Sequence, residues 1–153
     1  MMKLRIAAIA LACSAVMAVS STPAVGATSL FRHLYNNASN TYSSFENIAM
    51  AHNKYVKHHH ASCSAQKSQW WPGKATKDTA AIAGLASQLA KTTKKERKKP
   101  AYHDLLSTVH HLKGWSGSWI LPRLLNCKSM PISNSAVALD LSHVANDVGL
   151  GSY

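Results

Sequence analysis

From Phe31 to Val56 the core-type residues return on a seven-residue beat: Phe31, Leu34, Tyr35; Ala38, Thr41, Tyr42; Phe45, Ile48, Ala49; His52, Tyr55, Val56. A stripe of that period lies along one side of an α-helix and would scatter over both faces of a strand. It commits the chain to burying a long helix against other helices. One interval weakens it. The residues of "NNASN" (36–40) favour caps and turns and predict a place where the helix breaks.

The remaining spacing is helical too. Ile82, Leu85, Ala86 and Leu89 mark a second helix that Pro100 stops, and "SQWWPGK" (68–74) reads as the connection before it, punctuated by Pro72-Gly73. Tyr102, Leu105, Leu106, Val109 and Leu112 mark a third helix ending at Gly114 in a left-handed C-terminal position. "WSGSWILPRLLNC" is less regular, with one short helix after Pro122. A last helix, capped within 133–135, carries Val137, Leu141, Val144 and Val148 and ends at Gly149. No segment sustains β alternation. The expected fold is all-α, a small bundle of about four helices. Its tryptophans are expected to seal ends and loops, in preference to a binding platform built from Trp115 and Trp119.

The start of the chain reads as an export signal. Lys3 and Arg5 precede an apolar run from Ile6 to Val19, followed by small polar residues and the Val25-Gly26-Ala27 pattern of a cut after Ala27. The run is shorter than the about 20 residues of a membrane span. A cut after Ser20 is the alternative, and a lipoprotein cut before Cys13 ("ALAC") is a third route, with a very short apolar stretch before it. Residues 1–27 are thus expected to be a signal peptide and residues 28–153 one helical domain. The product is expected to be periplasmic or secreted, monomeric or dimeric, with no transmembrane span after cleavage. Cys13 leaves with the signal. The two remaining cysteines, Cys63 and Cys127, are expected to pair in an oxidising compartment, closing a 64-residue loop worth about 4 kcal/mol in chain entropy.

Charge is the most persistent functional feature. Of 17 lysines and arginines, 15 remain once Lys3 and Arg5 are removed, against six acidic residues, a formal +9 with histidines neutral. "AKTTKKERKKP" (90–100) holds six of them: Lys91, Lys94, Lys95, Arg97, Lys98 and Lys99. Continued as a helix, this run puts Lys91, Lys94, Lys95 and Lys98 opposite Ile82, Leu85 and Leu89. A solvated face and the helix dipole explain part of it. The surplus still exceeds what solubility asks of a small domain and points to an anionic partner: an acidic protein, lipid or polymer of the bacterial envelope. Export argues against nucleic acid, and the lysines lack the interleaved aromatics of a single-strand binder. Acid would strengthen such binding, since charging all nine histidines raises the formal charge to +18.

"HNKYVKHHHASC" (52–63) raises the alternative, a histidine carrier of copper, zinc or nickel, or of non-covalent haem. The candidates are His52, His58, His59, His60, His103 and His110. On a helix two histidines chelate one ion at i,i+4. His52 and His59 are seven apart, as are His103 and His110, a rise of about 10.5 Å. His58, His59 and His60 point in three directions, and the one i,i+4 pair joins His59 to Cys63. Two routes stay open: an extended "HHH" with His58 and His60 on one side, or His52 or His59 facing His103 or His110 across the bundle. Catalysis finds less support. The carboxylates Glu46, Asp78, Glu96, Asp104, Asp140 and Asp147 show no acid–base spacing, "GWSGS" lacks the last glycine and the preceding strand of a nucleophile elbow, and neighbours such as His103 and Asp104 diverge on a helix. The expectation is a non-enzymatic, cofactor-free binding protein.

Overall fold

The structure, a computed structural model, describes residues 25–59 and 62–151. The expected signal peptide falls outside that range except for Val25-Gly26-Ala27, and His60 falls outside it. Helix α1 (Val25–His59) is continuous. The break expected at 36–40 does not occur. Ala38 is fully buried there while Asn36 and Asn40 face outward. The Asn37 carboxamide reaches the His33 ring at 3.1 Å, and the Thr41 hydroxyl donates to the Asn37 carbonyl at 2.8 Å. Asparagine costs a helix only tenths of a kcal/mol per residue, which burial of the stripe outweighs.

A short α2 (Cys63–Lys67), capped by Ser62, leads to α3 (Trp71–Ala90). Helix α4 (Pro100–Trp115) runs through a π-helical stretch, Ser116–Ile120, into α5 (Leu121–Leu125), and α6 (Ser135–Asp147) closes the fold. Cross-helix contacts fix the topology. His52 meets Trp71 and Ser44 meets Asp78, so α3 runs antiparallel to α1. Ala86 of α3 lies beside Leu106 of α4 and Thr79 beside Ser116, again antiparallel. His111 meets Asp140, and Arg32 meets Val148, which returns α6 to α1. The fold is all-α: an up-down-up-down bundle of four long helices with one disulfide.

Every stripe residue from Phe31 to His52 is buried, facing Ile82, Leu85 and Leu89, then Leu105, Val109 and Leu112, and Val137, Leu141, Val144 and Val148. Trp115 occupies the middle, 5.4 Å from the Tyr42 ring and 5.8 Å from Phe45. Ala86 and Leu106 depart from the expected core and are exposed.

Three boundaries differ from those expected. Pro72 and Gly73 lie in the first turn of α3, where proline's missing N–H has no intrahelical partner to lose. Gly114 is helical, and the left-handed backbone positions among the described residues are Cys127, Gly149 and Gly151. Beyond it the ladder widens into the π stretch, just ahead of Pro122, which cannot donate an α-type bond. The wider turn breaks the phase of the core face, so Trp115 is 2% exposed and Trp119 is 47% exposed. Helix α3 stops at Ala90, so the lysine run is a connection and not a helical face. At the other end, Asn134 caps α6 by accepting the N–H groups of Ala136 and Val137. Gly149 (φ +73°) ends it, with the Leu150 N–H bonded to the Ala145 carbonyl at 2.8 Å.

Cys63, the first residue of α2, is bonded to Cys127 in the turn after α5, with Cα atoms 5.5 Å apart. Cys127 has φ +55°. Nearby, the Asn53 side chain clamps the Met130 backbone, donating to its carbonyl at 2.7 Å and accepting its N–H at 2.8 Å. Among the described residues no helix is long and apolar enough to cross a membrane. Removing both cysteines as Cys63→Ala with Cys127→Ala is expected to cost about 4 kcal/mol in urea unfolding while leaving the helical circular dichroism intact. Pairing Cys63→Ala with Cys127→Gly should recover about 1 kcal/mol, because glycine tolerates the left-handed backbone.

Candidate functional site

The six basic residues of the α3–α4 connection divide into one brace and five outward charges. Where α3 ends, Lys91 occupies the cap and the buried Thr92 hydroxyl donates to the Leu89 carbonyl at 2.7 Å. Thr93 and Glu96 form a reciprocal capping box: the Thr93 N–H donates to the Glu96 carboxylate at 2.6 Å, and the Glu96 N–H to the Thr93 hydroxyl at 3.2 Å. The bond from the Thr93 backbone holds the Glu96 carboxyl below its usual value. Arg97 then folds back, its guanidinium donating to the Ala90 carbonyl at 2.6 Å and to the Thr92 hydroxyl at 3.4 Å. It satisfies carbonyls that a helix end leaves open. Lys91, Lys94, Lys95, Lys98 and Lys99 are exposed around this turn, and none is in an ion pair among the described residues. The two threonines, read in sequence as part of a helix, are what stop it.

Elsewhere two acidic groups are bonded inside the fold. Asp78 is buried between Lys74 and the Ser44 hydroxyl. Asp140 bonds the His111 ring at 2.7 Å. Asp104 and Asp147 face each other across α4 and α6. Partial burial and the Asp104 carboxylate raise the Asp147 carboxyl above its usual range, and His143 counters them. Burial also raises the Tyr42 phenol; the Asn134 backbone bond opposes that and neighbouring Glu46 adds to it. With Glu96 in its capping box, three of the six carboxylates (Asp78, Glu96 and Asp140) hold hydrogen bonds or ion pairs within the described residues. The three described arginines are equally engaged, Arg32, Arg97 and Arg123 each donating to a backbone carbonyl. The α4–α6 pairs were missed in sequence, yet a signal existed. Asp104 and His111 are seven apart, as are Asp140 and Asp147, which is the register an antiparallel helix pair brings into contact.

The histidines are not gathered. His52 is fully buried in the core stripe, its ring edge-on to Trp71 at 5.6 Å. Burial lowers its pKa, and the Asn53 and Gln66 carboxamides beside it offset this only in part. Its proton is therefore taken up at lower pH than that of an ordinary imidazole. His58 and His59 are exposed at the end of α1, with the His59 ring stacked on Tyr55 at 4.5 Å. His103 and His110 flank the exposed Leu106 in a groove between α3 and α4. Among the described residues no three His, Cys, Asp or Glu side chains stand together as a metal site.

Comparison with protein-family models, with curated proteins and with solved structures finds no match to this chain.

The buried imidazole gives a pH prediction. Its pKa in the folded chain lies below the ordinary value of about 6.5, so on acidification the unfolded chain takes up that proton first. The native state keeps the full contribution above that value and loses it as pH falls through the folded-state pKa. In urea unfolding between about pH 7.5 and about pH 5, His52→Leu is expected to lose less stability than the wild type. Equal losses would place the acid sensitivity elsewhere.

Proposed function

We propose that this chain is an exported, non-catalytic binding protein that recognises an acidic partner through the five lysines of the α3–α4 connection. The observation that carries this reading is the partition of charge. Asp78 and Asp140 sit in ion pairs within the bundle, Glu96 in its capping box and the three described arginines on backbone carbonyls, while among the described lysines only Lys74 is in an ion pair. The five lysines of the connection carry their charge without an ion-pair partner among the described residues, and the chain's surplus of cations over carboxylates attracts polyanions and acidic surfaces at long range. Five of them fall within nine residues of a connection anchored by the Thr93–Glu96 box and by Arg97. Such a mount lets the lysines meet a partner without disturbing the bundle. The disulfide fits an oxidising location, in keeping with export.

The test compares wild type with a variant carrying Lys91, Lys94, Lys95, Lys98 and Lys99 changed to Gln, with Arg97 retained as the brace. Binding to dextran sulfate and to vesicles rich in anionic lipid is expected to weaken roughly tenfold or more and to lose much of its salt dependence. Unchanged affinity would overturn the assignment. So would tight one-to-one copper, zinc or nickel binding, with no polyanion affinity, that disappears when His58, His59 and His60 are changed to Ala.

A further inference from the structure

At the end of α4 remote from the lysine connection, the chain between α5 and α6 folds back over the π stretch and leaves a recess. Trp115, Trp119, Pro131, Ser133, Asn134 and Ser135 line it, around a volume of about 280 Å³. Ligand pockets run from about 300 to about 1,000 Å³, so this one suits a single ring and not a large cofactor.

Its parts are held in place from outside. Trp115 is 2% exposed, and its buried indole N–H has no hydrogen-bond partner among the described residues, although a buried indole N–H usually finds one. Trp119 supplies an exposed aromatic wall. Its ring is steadied by the Arg123 guanidinium, 5.0 Å from the centroid, which is itself fixed by a 2.6 Å bond to the Ser129 carbonyl. Arg123 is not part of the lining. The rim is the start of the thirteen-residue α6. There the Asn134 side-chain oxygen takes the Ala136 and Val137 N–H groups, and its backbone is pinned to the Tyr42 hydroxyl. The Asn134 amide nitrogen and the Ser133 and Ser135 hydroxyls have no partners among the described residues, at the positive end of the helix dipole.

The recess thus offers donors, a positive helix end and a flat, electron-rich indole. A ligand matched to all three presents acceptors with negative charge and a face of C–H groups. We infer that it binds one carboxylated sugar ring, a hexuronate unit of an acidic glycan. The C–H face lies on Trp119, and the carboxylate and ring hydroxyls accept from the α6 rim. Free sulfate or phosphate would leave the indole unused, and a neutral sugar would leave the helix charge unused. The inference goes beyond the acidic-partner reading by adding a second site and naming the partner class it would take. The recess lies about 24 Å along α4 from the lysine connection, at 1.5 Å per residue, so the two sites can fail separately.

The probe is tetragalacturonate, with maltotetraose as its neutral counterpart, titrated into the oxidised protein by calorimetry and followed by tryptophan fluorescence at near-physiological salt. Tetragalacturonate is expected to bind one-to-one and to shift the fluorescence, with maltotetraose at least about tenfold weaker. Trp119→Ala, at an exposed position, should weaken tetragalacturonate about tenfold, and Ser133→Ala with Ser135→Ala several-fold. The five-lysine variant should keep the one-to-one site. Equal binding by Trp119→Ala, equal binding of maltotetraose, or no binding of tetragalacturonate would each overturn the recess. If only the five-lysine variant loses tetragalacturonate, the acidic-partner reading stands and the recess is rejected.

Discussion

The bundle is organised around one indole. Trp115 sits at the last turn of α4 and lies against Tyr42 and Phe45 of α1, bringing together two helices that are diagonal in the four-helix ring. Around it the remaining pairs close, α3 on α1 and α6 on both α4 and α1. A side chain of this size leaves little freedom to neighbours that must pack at crystal-like density. The residues just beyond it show the effect: Ser116 is fully buried against Thr79, and the helix relaxes into a π stretch before Pro122. The turn that follows, the α6 cap on Asn134 and the bond from that residue to Tyr42 take their positions from this centre.

Polar chemistry follows a division of labour. Arginine, with its planar fork of donors, is used on backbone carbonyls that the helix ends and turns leave open. Asp78 and Asp140 meet a hydroxyl, a lysine and a histidine inside the bundle, and Glu96 meets an amide in the connection. Lysine, whose long stem gains little from being fixed, is left outside. Five of the chain's lysines are thereby gathered in one short connection with no ion-pair partner among the described residues.

Much of this was legible in the sequence because α1 declares itself. A residue on every stripe position from Phe31 to His52 is buried, His52 included, and the Val137, Leu141, Val144, Val148 series of α6 is buried as expected. The paired cysteines follow the same way. Errors cluster where local preference and tertiary packing disagree. Asn36, Asn37 and Asn40 tolerate a helix because Ala38 between them is core. Gly114 stays helical because Trp115 after it must be buried. The lysine run looked like an amphipathic face on a wheel, but Thr92 turns inward and Thr93 offers Glu96 a cap, so the backbone leaves the helix. The basic cluster was visible as composition, while the loss of Arg97 to a bracing role was not, since that depends on where the α3 carbonyls end. The recess was least legible of all. It joins Trp119 to Asn134 across a turn whose path no periodicity encodes.

The covalent bridge has a consequence for where such a surface can exist. The bridge joins α2 to the turn after α5 and lies outside the stripes that the four long helices bury. The segment from Cys127 to Asn134 has no regular helix to hold it and rests on separate anchors: the bridge itself, the Arg123 grip on Ser129, the buried and Asn53-clamped Met130, and the Tyr42 hydroxyl on Asn134. That segment also forms one side of the recess. In a thiol-rich environment the bundle would persist while this border slackened. Shape at this end is thereby indexed to electron availability, because the border of the recess and the bridge share one segment.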